Sequence, residues 1–190
     1  IVGYTDGTFG PSRSMTRAEA AAIFARLLAE KNGDTISTAA NTKFADIPAH
    51  AWYSGYVKYL SNNGITYGKS KTIFAPNDAI TRAEFTTMAV RFFDVYGDGD
   101  AEIMEQFSGF NDVSSGYWAA EYIKYAALHG WINGYGDGSF HAEREINRAE
   151  VVTIVNRLLG READEDYIAD NLRKLNTFPD VTKRHWAYYA

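Results

Sequence analysis

Cysteine is absent from all 190 residues. That excludes a disulfide scaffold, a thiol nucleophile and a Cys-ligated zinc site, while leaving the compartment open, because secreted proteins without disulfides are common. Excess positive charge is also missing. A net charge of −5 argues against nucleic-acid binding through bulk electrostatics. No apolar run approaches the roughly 18 residues that a membrane-spanning helix needs, so no membrane insertion is expected. Histidine is sparse, and His50, His129, His141 and His185 share no common spacing. Neither Gly-Xaa-Ser-Xaa-Gly nor His-Glu-Xaa-Xaa-His occurs. The chain begins at Ile1 without a signal-like segment and reads as a piece of something longer. What is present is an ordinary globular composition, 46% hydrophobic and 23% charged. A chain of this length buries roughly 70% of its unfolded surface and supports one or two domains.

The chain repeats itself. Thr16-Arg17-Ala18-Glu19 returns as Thr81-Arg82-Ala83-Glu84 and Asn147-Arg148-Ala149-Glu150, at steps of 65 and 66 residues. Phe44-Ala45-Asp46 returns as Phe110-Asn111-Asp112 and Phe178-Pro179-Asp180, each followed by a tryptophan: Trp52, Trp118 and Trp186. Gly3-Tyr4-Thr5-Asp6-Gly7-Thr8-Phe9 returns as Gly134-Tyr135-Gly136-Asp137-Gly138-Ser139-Phe140, and in degraded form from Tyr67 to Phe74. Such spacing predicts an all-α fold of tandem helix-turn-helix units of about 66 residues. The expected divisions are 1–43, 44–109, 110–177 and a short segment 178–190. Apolar residues at Trp52, Tyr53, Tyr56, Val57 and Leu60, and at Trp118, Ala119, Tyr122, Ile123, Ala126 and Ala127, predict the first helix of each unit. Gly64 and Gly130 then serve as C-terminal caps. The second helix starts at each Thr-Arg-Ala-Glu block. Residues 163–175 predict an extra helix and 31–43 a loop, while 94–109 are acidic and then briefly amphipathic at Ile103 and Met104.

The repeated residues define the candidate site. Thr16, Thr81 and Asn147, with Glu19, Glu84 and Glu150 three residues on, form capping boxes. Arg17, Arg82 and Arg148 need a separate reason, because a cation in the first helical turn opposes the dipole at roughly a few tenths of a kcal/mol. Either each Arg and the free N–H groups beside it receive an anion, or each pairs within the chain with Asp46, Asp112 or Asp180; the two readings can coexist. Arg26, Arg91 and Arg157 border the core stripe and read as structural. The Asp-Gly blocks are tight turns and not dinucleotide loops. Tyr4 and Tyr135 are core, surface or sugar-stacking residues. The tryptophans are more often core anchors than ligand platforms. Asp94, Asp98, Gly99, Asp100 and Glu105 sit at calcium-loop positions, but Tyr96 breaks the pattern, so no metal is expected. No cofactor is expected either. A site repeated in several copies suits binding by avidity better than catalysis.

In this order and combination the blocks resemble the S-layer homology domain family over nearly the whole chain. The resemblance implies three motifs in a pseudo-threefold helical bundle with grooves between them. It implies a secreted cell-surface module, not an enzyme. Such modules hold surface-layer proteins and exoenzymes noncovalently to the wall, often through a pyruvylated secondary cell wall polysaccharide that meets the Arg. On this chain the implied binding residues are Arg17, Arg82, Arg148, Glu19, Glu84, Glu150, Tyr4, Tyr135, Asp46, Asp112, Trp52, Trp118, Gly3 and Gly134. The alternative is a structural or protein-interaction module of a surface-layer assembly. Three further expectations follow. Replacing Arg82 or Arg148 weakens wall binding at little cost in stability. The groove at Lys69-Ser70-Lys71 binds less well, because the lost Asp-Gly cannot follow the same path. Residues 178–190 dock where a first helix of the first motif is missing, or on a neighbouring molecule, and bury Trp186.

Overall fold

The computed structural model describes residues 3–97, 107–171 and 177–188. Ile103, Met104 and most of the calcium-loop positions lie outside them. The described residues are helical and contain no strand: α1 is Arg17–Asn32, α2 Ser54–Asn62, α3 Arg82–Tyr96, α4 Ala120–Leu128, α5 Arg148–Leu158 and α6 Glu165–Asn171. Helices α1, α3 and α5 start at complete capping boxes, with Thr16, Thr81 and Asn147 accepting from the N3 amide and the N3 Glu reaching back. The predicted glycines end α2 and α4 one residue past the cap, where Gly64 and Gly130 take φ of 74° and 68°. Both values lie in the left-handed region that glycine enters without a Cβ penalty. Helix α6 lies within the predicted 163–175, whose last residues, 172–175, are outside the described residues.

The three long helices meet through their first residues. Met15, Ile80 and Ile146, each just before a cap, are fully buried and extended. Their backbone groups need partners, and they find one another: Met15 N–H donates to Ile146 (3.1 Å), Ile146 to Ile80 (3.0 Å) and Ile80 to Met15 (2.9 Å). This closed triangle brings the starts of α1, α3 and α5 together. Beneath it Phe24 packs against Phe85 (5.2 Å) and Phe92 (5.0 Å). Helix α2 lies on α1, and α4 on α3.

The predicted first helices begin two residues late, and this moves the tryptophans. Trp52 and Trp118 precede α2 and α4 and are 54% and 55% exposed. Tyr53 and Ala119 occupy the core positions beside them. The expected core-anchor role is therefore corrected.

The C-terminal segment closes back on the start of the chain. Asp180 accepts from the amides of Phe9 (2.9 Å) and Gly10 (2.7 Å), and the rings of Phe178 and Phe9 lie 5.4 Å apart. Asp46 treats Phe74 and Ala75 in the same way, and Asp112 treats Phe140 and His141. Docking within the chain thus follows one of the two expected routes. Burial of Trp186 does not follow, since it is 64% exposed. Like Trp52 and Trp118, it stands at the entry to a helix position and points outward.

Candidate functional site

Each repeat-interface groove is built on one of the three arginines. Arg17, Arg82 and Arg148 are buried, at 4–5% exposure. Their Nε groups donate to the carbonyls of Phe74 (2.7 Å), Phe140 (2.8 Å) and Phe9 (2.8 Å). Each therefore reaches across to the next repeat, with α5 reaching back to the first. Arg17 Nη1 pairs with Glu84 at 3.0 Å, and Arg82 Nη1 with Glu150 at 2.7 Å. The carboxylate partner is the capping Glu of the following helix, which corrects the expected pairing with Asp46, Asp112 and Asp180. Those aspartates instead hold the amides of the Phe-Xaa peptides whose Phe carbonyls receive the arginines.

That clamp strains the backbone. Ala75 and His141 take φ of 58° and 55°, where Gly10 takes 68°. A side chain in this region costs roughly 1–2 kcal/mol, and the Asp acceptor below and the Arg donor above hold the peptide in place. Burial lowers the pKa of Arg82, and Glu150 offsets part of that effect. The rings of Phe140 (4.4 Å) and Tyr135 (5.2 Å) face its guanidinium.

The helix N-termini are not open to an anion. The amides of Arg82 and Ala83 donate to the carbonyls of Arg144 and Ala142, those of Arg17 and Ala18 to Asp78 and Pro76, and those of Arg148 and Ala149 to Arg13 and Pro11. The next amide goes to the cap. The donors that a helix start leaves unsatisfied are thus consumed by the neighbouring repeat, and the expected Arg-plus-amide receptor reduces to side chains alone.

Those side chains include two cations that sequence reasoning missed, Arg13 and Arg144, and Lys69, which the sequence already places in the middle groove. Arg144 bonds both Tyr135 and Glu150. Arg13 lies over the ring of Tyr4 at 4.4 Å. Lys69 pairs with Glu84 at 3.2 Å. Arg13 and Arg144 hold the same position, three residues before a cap, and the middle repeat has Asp78 there. The signal was legible in a repeat alignment read three residues further upstream. Lys69 makes good the loss from elsewhere, since it stands in the register of Tyr4 and Tyr135. The amides of all three close onto residues four further on, Thr8, Ile73 and Ser139, at 2.7–2.8 Å. The middle turn therefore does close, contrary to expectation, with the left-handed conformation moved to Gly68 (φ 81°).

Gly3, Gly68 and Gly134 abut Phe178, Phe44 and Phe110. A Cβ there would lie 2.3–2.5 Å from the ring, so these glycines seat the turn on the Phe-Xaa-Asp segment. Tyr4 is half-buried and Tyr135 is 39% exposed. Arg26 and Arg91 bond the hydroxyls of Tyr56 and Tyr122 beside the core.

The grooves differ in shape. One of about 300 Å³ is lined by Arg82, Tyr135, Glu150 and Trp186. A larger one, about 730 Å³, takes in Arg148, Glu19, Phe9 and Trp52. Tyr117, whose hydroxyl feels the charge of Glu84, lies against Trp118 with ring centroids 5.7 Å apart. Burial and a bond to Glu143 raise the Tyr117 pKa. Among the described residues no group of histidines and carboxylates is placed to hold a metal, and no helix is long and apolar enough to cross a membrane.

Comparison with known proteins finds the S-layer homology domain matched at residues 1–21, 43–86 and 109–152. Cell surface glycoprotein 1 of Acetivibrio thermocellus is 36% identical over 98% of this chain and 8% of its own length. The Cellulosome-anchoring protein of the same organism is 32% identical over 99% of this chain and 40% of its own. The Surface-layer 125 kDa protein of Lysinibacillus sphaericus is 32% identical over 84% of this chain and 13% of its own. The chain thus spans less than half the length of the relatives it matches.

Proposed function

The chain belongs to the S-layer homology domain family, and we propose from that premise that it is the wall-anchoring module of a secreted surface protein and performs no chemistry. The names of its relatives point to the same role, since they are surface proteins and an anchoring protein. The ligand is an acidic secondary cell wall polysaccharide, in the first instance a pyruvylated one. It enters the grooves between repeats, its carboxylate facing the rim cations Arg13, Lys69 and Arg144 above the buried Arg17, Arg82 and Arg148. Charge-assisted contacts of this kind contribute about 1.5–3 kcal/mol each, and several grooves on one chain add avidity.

The observation that carries this reading is one arrangement found in two grooves: a buried Arg with the capping Glu of the next repeat beside it, and an exposed tryptophan in the same groove, Arg82 with Glu150 and Trp186, and Arg148 with Glu19 and Trp52.

The test is co-sedimentation with purified cell wall, before and after chemical removal of pyruvate, for the wild type and for Arg144→Ala. Binding that falls with pyruvate removal and with Arg144→Ala supports the reading. Retention on stripped wall that depends on surface-layer protein instead assigns the chain to protein interaction.

A further inference from the structure

We propose that Trp186 is the sugar-stacking wall of the Arg82 groove, and that this groove is complete only while the C-terminal segment is docked on the first repeat. The inference rests on the polysaccharide reading above and adds a residue and a dependence to it. Trp186 shares the groove of about 300 Å³ with Arg82, Gly134, Tyr135 and Glu150, yet 64% of it faces solvent. It stands opposite an ion pair at 2.7 Å and a tyrosine that is 39% exposed. Two aromatic faces above a buried guanidinium suit a hexose carrying a carboxylate. The apolar faces of the ring meet Tyr135 and Trp186, and the carboxylate meets the cations.

This wall comes from the far end of the chain. The larger groove also borders this segment, at Phe178, Val181 and His185, but takes its tryptophan, Trp52, from a segment whose Asp46 clamp lies within a contiguous repeat. The Arg82 groove takes Trp186 from a segment held by Asp180 on the amides of Phe9 and Gly10, and by Phe178 on Phe9. Whatever releases that clamp removes one wall of this groove, and by reciprocity a bound sugar strengthens the clamp.

The test uses the full chain with pyruvylated wall polysaccharide fragments as probe. Affinity is read by calorimetry, and docking by hydrogen exchange at the Phe9 and Gly10 amides. Trp186→Ala is expected to weaken one class of site about tenfold, the scale of an aromatic contact, without altering exchange in the absence of polymer. Asp180→Asn, or Phe178→Ala as an independent route to undocking, is expected to speed exchange at both amides and to weaken the Arg82 site at least as much as Trp186→Ala does, together with the larger groove that the same segment lines. Polymer slows that exchange in the wild type, and less so in Trp186→Ala. Unchanged affinity in Trp186→Ala and Asp180→Asn, or exchange that polymer leaves untouched, overturns this inference alone. A wild-type chain that binds no polymer overturns the anchoring reading and this one with it.

Discussion

A guanidinium in the first turn of a helix faces the positive end of the dipole, and on this chain that happens three times. The geometry removes the conflict. Arg82 leaves its own helix and spends its donors on the Phe140 and Asn133 carbonyls and on Glu150. Removing one member of a buried ion pair strands the other. Arg82→Ala is therefore expected to cost about 3 kcal/mol in denaturant unfolding, in contrast to the small cost that the sequence alone suggests. Arg82→Lys should recover only part of it, because an ammonium cannot span those three acceptors in one plane. Binding assays are thus better made at the exposed Arg144. The strained peptide supplies a prediction of the opposite sign. Ala75 holds φ 58° where the first repeat uses Gly10. Ala75→Gly relieves a left-handed side chain at some cost in chain entropy, and should raise stability by about 0.5 kcal/mol in thermal melts.

Helices were the most legible scale. Capping boxes and 3.6-residue periodicity placed α1, α3 and α5 at their first residues, and the left-handed glycines marked the ends of α2 and α4. Losing one such cap, as in Thr81→Ala, should cost about 1 kcal/mol. Glu150→Ala should cost more than its cap, because the same carboxylate also receives Arg82 and Arg144; a melt series comparing the two substitutions checks this. What periodicity could not show is where the helix-start amides go. Their acceptors lie about 60 residues away, at Asp78 and Arg144, or 135 residues away, at Arg13, and no local pattern names them. The tryptophans misled for a related reason. Spacing puts Trp52 and Trp118 on the apolar stripe of a helix, but the helix begins two residues later, and the side chain of a residue outside it is aimed by the turn.

At the scale of the whole molecule, the chain ends are joined by a carboxylate, and that makes the closure sensitive to acid. Asp180 accepts from Phe9, which lowers its pKa; burial opposes this weakly, and Gly10 lowers it further. A carboxyl whose folded pKa lies below its unfolded value of about 3.9 stabilises the folded form above that value, and the stabilisation is lost as pH falls through the folded pKa. Asp112 is shifted in the same direction: burial opposes ionisation, but the Phe140 and His141 amides outweigh it. Both clamps therefore hold at neutral pH and release only below the ordinary carboxylate range. Their consequences differ with topology. Asp112 lies within a contiguous repeat packed on α3 and α4, so its release leaves the peptide at Phe140 enclosed by Arg82 and Phe110. Asp180 holds a segment that ends the described chain, with Phe178 beside it on the first repeat. Acidification from pH 6 towards pH 3 should thus free the Phe9 and Gly10 amides to exchange before those of Phe140 and His141, with helical circular dichroism unchanged. In Asp180→Asn, which cannot titrate, the first transition should disappear and the second remain. If all four amides lose protection together with helicity, the closure is part of one cooperative unit and acid acts on the whole fold.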